Sequence, residues 1–159
     1  MDKEPIKEIC IRYKIKNYTI NKDGSIDVND NVNLSFMELS ELPLKFNNVL
    51  GSFDCSNNIL TTLKGSPKRV GGWFDCSTNR LTTLKHCPDY IHNFFYCKYN
   101  KLEYLDYLPD HYGSSIVCRG NPFKELPIHL IDSIKCDDRD ILIKKSKRSH
   151  RVKNIIDRI

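Results

Sequence analysis

The sequence predicts an α/β solenoid, a fold in which short repeats stack along one axis and bury a shared core. The first observation is a twelve-residue segment, starting at Phe53, that returns almost unchanged from Phe74, 21 residues later. The second is that this step continues through about five units of the 159-residue chain. The third is a proline in constant register, at Pro67, Pro88 and Pro109. A fixed step of this length is typical of repeat proteins.

Each unit begins with two apolar residues that are two positions apart and therefore face the same side of a strand. The first is Val32, Phe53, Phe74, Phe95 or Ile116, and the second is Leu34, Cys55, Cys76, Cys97 or Cys118. Leucines such as Leu60 and Leu63 follow and turn inward from the opposite side of the coil. Because one turn alone cannot bury these groups, we expect stacked turns whose strands form a parallel sheet.

An asparagine marks the end of each predicted strand. It occurs at Asn58, Asn79, Asn100 and Asn121, and the first unit is degenerate, with Met37 at this position. An amide side chain both donates and accepts, so it can satisfy turn backbone that lies inside the coil. We therefore expect this column to be structural.

The column of cysteines has two interpretations. Four thiols on one face suggest a metal site, but zinc ligands usually come from short spacings such as Cys-x-x-Cys. Single ligands on a straight ladder of parallel strands cannot converge on one ion. The favoured interpretation is that each cysteine is a small buried hydrophobe, with no metal or other cofactor bound. Free buried thiols also fit a reducing compartment.

The core pattern apolar-x-apolar-x-x-Asn-x-Leu resembles the leucine-rich repeat. The longer pattern Phe-x-Cys-Ser-x-Asn-x-Leu-Thr-Thr-Leu-x-x-x-Pro, with Val70-Gly71-Gly72 before the next strand, resembles short leucine-rich-repeat proteins of bacteriophages and other large DNA viruses. It is also similar to the repeats of bacterial effectors, although no ligase domain follows the repeats in this sequence. The resemblance covers roughly residues 13–130. It implies a host or bacterial protein as partner and the host cytoplasm as location.

The predicted organisation has three parts. Residues 1–30 form an N-terminal cap with a β-hairpin around Asp23-Gly24, and residues 31–127 form the leucine-rich-repeat solenoid with a parallel sheet on its concave face. Residues 128–159 form a C-terminal helical cap and a basic tail. In this cap, Ile128, Ile131 and Ile134 are predicted to lie on a short helix.

The outward positions of the predicted strands change from unit to unit, while the inward positions recur. The expected partner-binding residues on the concave face are four apolar or aromatic residues and four charged ones, namely Trp73, Phe94, Tyr96, Val117, Asp54, Asp75, Lys98 and Arg119. An aromatic cluster with a charged rim is typical of a protein-binding hot spot. The alternative is that these aromatic residues only stack across strands and stabilise the sheet.

The C-terminal tail concentrates positive charge. Residues 144–159 carry a net charge of about +6, so the rest of the chain is close to neutral. The basic residues that matter here are Lys144, Lys145, Lys147, Arg148, Arg151 and Lys153. This tail could bind nucleic acid or an anionic surface, or could pack on the last repeat as a basic helix.

Several function classes lack their sequence signals. The chain has no apolar stretch long enough to span a membrane and no secretory signal at its start, so a cytoplasmic protein is expected. It has no nucleophile elbow, phosphate-binding loop or His-Glu-x-x-His motif. The sequence therefore predicts a non-catalytic protein-binding module of unknown oligomeric state. The alternatives are a self-assembling structural component, such as a virion protein, and a binder of nucleic acid or anionic surfaces through the tail.

Overall fold

The computed structural model describes residues 4–125 and 134–136. It is a β-solenoid of about five turns, built from two sheets of six strands each. The repeat and the solenoid architecture are thus confirmed. The α/β class and the single parallel sheet are not, because every turn contributes a strand to each of two sheets, and the described residues form one helix of seven residues.

The first sheet, sheet A, contains the strands β1 (Tyr18–Ile20), β2 (Ile26–Val28), β4 (Phe46–Val49), β6 (Arg69–Val70), β8 (Tyr90–Ile91) and β10 (His111–Tyr112). Its first two strands form an antiparallel hairpin, and the others pair in parallel. The hairpin turns at Asp23 and Gly24, where Gly24 has a φ of 74° that suits glycine.

The second sheet, sheet B, contains β3 (Val32–Asn33), β5 (Phe53–Asp54), β7 (Phe74–Asp75), β9 (Phe95–Tyr96), β11 (Ile116–Val117) and β12 (Ile134–Lys135). All its strands pair in parallel. From β3 to β11 the register places each residue beside the one 21 positions later, as the repeat predicts.

A tight bend separates the two strands of each turn, and in one turn this bend contains Gly71 and Gly72. A Cβ atom on Gly71 would collide with the carbonyl oxygen of Leu50 in the previous turn, and one on Gly72 would collide with the hydroxyl of Ser52. At this corner the glycine backbone therefore packs directly against the backbone and one small side chain of the previous turn. The bend reorients the chain, so that Val70 and Phe74 both point into the core from different sheets.

The core is a set of side-chain ladders along the solenoid axis. The rings of Phe53 and Phe74 stack with centroids 5.7 Å apart, and those of Phe74 and Phe95 lie 5.8 Å apart. The leucines that close each turn are also buried, and the cysteines Cys55, Cys76, Cys97 and Cys118 have no exposed surface. Their predicted burial is confirmed.

The asparagine ladder satisfies backbone inside the coil, as predicted. The amide of Asn79 donates to the carbonyls of Cys55, Cys76 and Ser77 at 3.0, 3.2 and 3.2 Å. Its oxygen accepts a hydrogen bond from the Leu60 amide at 2.9 Å. Asn58, Asn100 and Asn121 make corresponding bonds in their own turns. Each asparagine therefore joins one turn to the turn before it.

Both ends of the solenoid hold elements that the 21-residue step does not predict. At the front, helix α1 (Ile6–Arg12) precedes the hairpin and packs Ile6, Ile9 and the fully buried Cys10 against the core. At the back, the prediction that Ile134 lies on a helix is wrong. Ile134 is only 2% exposed and pairs with Ile116 in strand β12, whereas Ile128 and Ile131 lie outside the described residues.

Candidate binding surface on sheet B

The outward positions of sheet B form one surface, which we call the variable face. It consists of the eight residues predicted from the sequence, Asp54, Trp73, Asp75, Phe94, Tyr96, Lys98, Val117 and Arg119. All of them are half-buried or exposed, while their inward neighbours are fully buried. Successive side chains of a strand point to opposite faces, and each of these residues is adjacent in sequence to at least one core residue. The alternation therefore places them on the outer face of sheet B.

Tyr96 is the centre of the aromatic part of the variable face. Its ring stacks on Phe94 with centroids 5.8 Å apart, and Trp73 meets it edge-on at 6.5 Å. The Lys98 ammonium lies 5.3 Å from the centroid of the same ring. The structure thus brings four predicted residues together. It does so through Tyr96 rather than through the direct Trp73–Phe94 contact that their shared column suggests.

Two carboxylates share one rung of the ladder beside this cluster. Asp54 and Asp75 are direct register partners on β5 and β7. Each carboxylate accepts a hydrogen bond from the backbone amide two residues later. Asp54 accepts from the Ser56 amide at 2.9 Å, and Asp75 accepts from the Ser77 amide at 2.7 Å. Burial raises the pKa of Asp75, and the negative charge of Asp54 adds to the effect.

The opposite end of the same ladder is apolar and then basic. Tyr96 pairs in register with Val117, and Val117 pairs with Lys135 of β12. Arg119 is exposed two residues after Val117. Lys135 was not predicted to lie here. Its signal is the triplet Ile134-Lys135-Cys136, which repeats the apolar-x-Cys pattern of the earlier strands at a step of 18 residues instead of 21.

A groove of about 360 Å³ lies at the acidic end of the variable face. Its walls are Asn31, Val32, Asn33, Ser52, Asp54 and Trp73, which belong to three successive turns. Trp73 lines this groove and also contacts Tyr96 in the following turn. The groove therefore continues directly into the aromatic cluster.

Sheet A carries a smaller stack that the sequence analysis did not single out. The Arg69 guanidinium lies 4.2 Å from the centroid of the Tyr90 ring, and this ring stacks on His111 with centroids 4.6 Å apart. These residues are also 21 positions apart, which is the signal that could have found them. This stack is a second, separate group of planar side chains, and it lies on sheet A.

A second groove, of about 750 Å³, runs along the loops that follow the leucines, and its walls include Lys64, Ser66, Lys68 and Cys87. The Cys87 thiol donates a hydrogen bond to the carbonyl oxygen of Tyr107 at 2.9 Å. Burial raises the pKa of Cys87 to about 12, helped by the nearby Asp89 and Asp110. This thiol is therefore protonated at neutral pH and is a poor nucleophile.

Burial also keeps the inner thiols protonated. Burial raises the pKa of Cys55 and of Cys76 well above the usual thiol value. Metal binding requires thiolates, which burial in an apolar core disfavours. Within residues 4–125 and 134–136, no group of three or more potential ligands is arranged to hold a metal ion.

The basic tail, with Lys144, Lys145, Lys147, Arg148, Arg151 and Lys153, lies outside the described residues. The hypothesis that it binds nucleic acid or an anionic surface therefore stays a prediction. In the part of the chain that the structure describes, no helix is long and apolar enough to cross a membrane.

The comparisons with known proteins identify no relative. No family model, no curated protein and no solved structure matches this chain.

Proposed function

We propose that this protein is a non-catalytic binding module that holds a protein partner against the variable face. The observation that carries the proposal is the half-exposed cluster in which Tyr96 contacts Trp73, Phe94 and Lys98. Solenoids commonly bind partners on extended surfaces of this kind, and large aromatic residues dominate the energy of protein interfaces.

The charges around the cluster support a protein partner over an apolar small molecule. Asp54 and Asp75 lie on one side of Tyr96 along the ladder, and Lys135 lies beyond Val117 on the other side, while Lys98 lies over the Tyr96 ring itself. A partner segment along this ladder needs positive charge at one end and negative charge at the other. Such polarity fixes orientation and excludes wrong partners more than it adds affinity.

We further propose that the turns are of the leucine-rich-repeat type, with the variable face on the concave side. The support is the asparagine ladder, which joins successive turns where the leucine-rich pattern places its asparagine. By analogy with the viral proteins that the repeat resembles, the partner is a host or bacterial protein met in the host cytoplasm.

The proposal is tested by affinity capture from bacterial and host lysates with three variants. Trp73→Ala/Phe94→Ala removes two rings of the cluster, whereas Tyr104→Ala/Tyr107→Ala removes two exposed rings elsewhere and serves as the matched control. A chain ending at residue 143 removes the basic tail.

A partner that is lost with Trp73→Ala/Phe94→Ala and retained by the other two variants supports the proposal. A partner or nucleic acid lost only on truncation moves the function to the tail. A protein that captures nothing and sediments as a large oligomer at all concentrations favours the self-assembling alternative.

A further inference from the structure

Three tyrosines on the surface of this solenoid hold cations of their own chain. Arg69 lies over Tyr90 at 4.2 Å, and Lys98 over Tyr96 at 5.3 Å. A third such pair joins Lys124 and Tyr104 at 5.7 Å. Among the described residues, none of these cation–ring pairs involves Trp73. Indole is the aromatic group that attracts cations most strongly, so the best acceptor on the surface has no cation from the described chain.

The groove beside Trp73 supplies a counter-charge. The carboxylate of Asp54 lines the same groove of about 360 Å³. In residues 4–125 and 134–136, the three ion pairs involve other acidic groups and leave Asp54 without one. Asp75, the register partner of Asp54, places a second negative charge on the same rung. The groove thus combines an aromatic wall with a local excess of negative charge.

We propose that this groove binds the guanidinium group of an arginine side chain from the protein partner. The guanidinium plane packs against Trp73, and its N–H groups donate to Asp54. An arginine fits both requirements, because its planar group stacks on aromatic rings and pairs with carboxylates through two parallel hydrogen bonds. This inference rests on the proposed function, since it assigns the chemistry of one position of the partner.

The carboxylate is already oriented for this role. Its Oδ1 atom accepts the 2.9 Å hydrogen bond from the Ser56 amide, which fixes the side chain in a turn of its own backbone. An asparagine retains that acceptor atom and loses only the charge. Asp54→Asn is therefore a variant that tests charge while keeping the local fold.

The test uses N-acetyl-arginine amide as the probe and reads the fluorescence of Trp73, the only tryptophan in the chain. N-acetyl-citrulline amide, which has nearly the same shape and no charge, is the matched control at equal ionic strength. We expect a saturable fluorescence change with the arginine probe in the millimolar range and none with the citrulline probe. Asp54→Asn should weaken binding about tenfold or more, whereas Asp106→Asn, at an exposed position, should not weaken it.

Three results would overturn the inference: an equal response to citrulline, an unchanged affinity in Asp54→Asn, or no saturable response to arginine. Each of them leaves the proposed function standing if capture still depends on Trp73 and Phe94. Conversely, a partner captured through the tail alone would remove the proposed function, whatever the probe does.

Discussion

Asp54 and Asp75 stand directly opposite one another on neighbouring parallel strands, so that two carboxylates share one rung of an outward ladder. Like charges directly opposite one another destabilise a sheet, and cross-strand pairs as a class contribute about 0.2–1 kcal/mol. Burial and the charge of Asp54 both raise the pKa of Asp75. A chain selected only for stability gains nothing from this arrangement, whereas a surface that receives a positively charged partner does.

Asp75→Asn should therefore stabilise the free protein at neutral pH by about 0.2–1 kcal/mol, because it removes a charge that burial and the neighbouring Asp54 both disfavour. The pKa of Asp75 in the folded protein lies above its ordinary value of 3.8. Above this raised pKa, the charged carboxylate lowers the free energy of unfolding by its full amount. Below pH 3.8 the group is protonated in both the folded and the unfolded state, and the destabilisation disappears. The gain from the substitution should fade as pH falls through this range. Thermal unfolding of both proteins between pH 3 and pH 8 measures it.

The matched control is Asp106→Asn, which changes an exposed aspartate in a loop. It should leave the unfolding temperature nearly unchanged at all pH values. If Asp75→Asn were less stable than the wild type at neutral pH, the two carboxylates would not be in conflict and this part of the account would be wrong.

Asn79→Ala should destabilise the solenoid by about 1–3 kcal/mol, because the buried Leu60 amide loses its acceptor. The carbonyl oxygens of Cys55, Cys76 and Ser77 keep other donors, so the amide of Leu60 is the group left unsatisfied. Urea unfolding followed by Trp73 fluorescence measures the loss. Arg80→Ala, at the exposed neighbouring position, is the control and should have little effect. Equal stability of both variants would mean that the asparagine ladder does not hold the turns together.

The buried cysteines should resist alkylation for as long as the protein is folded. Cys55, Cys76 and Cys97 have no exposed surface, and their pKa values are raised well above 9.0. Treatment with iodoacetamide at pH 8, followed by peptide mass spectrometry, should find these three unmodified in the native protein and modified in urea. Fast native modification of Cys76, in the middle of the ladder, would show that the turns open and would contradict the packed core.

The repeat predicts the inward half of sheet B because one chemical rule governs it. Residues two apart on a strand face the same side, and a solenoid buries that side in every turn. The phenylalanine, cysteine and asparagine columns follow from this rule, and so does the list of outward residues. The contacts among the outward residues do not follow from it, because side-chain orientation decides that Tyr96 lies between Trp73 and Phe94.

The second strand of each turn could not be read from periodicity. Strands such as Arg69–Val70 and Tyr90–Ile91 each bury a single residue, so they lack the pair of apolar residues two positions apart that marks the strands of sheet B. The rung at Ile134–Lys135 was missed for another reason, since the step shortens to 18 residues and breaks the register. Helix α1 lies before the first turn, where the repeat gives no information.

The most direct test of the central claim is a photocrosslink from the variable face. Benzoylphenylalanine incorporated in place of Tyr96 lies at the centre of the aromatic cluster, and the same group in place of the exposed Tyr104 provides the control. On irradiation in lysate, the protein labelled at position 96 should form one dominant covalent adduct with a partner, and the protein labelled at position 104 should not. An adduct from position 104 alone, or the same adducts from both positions, would contradict the assignment of the variable face as the binding surface.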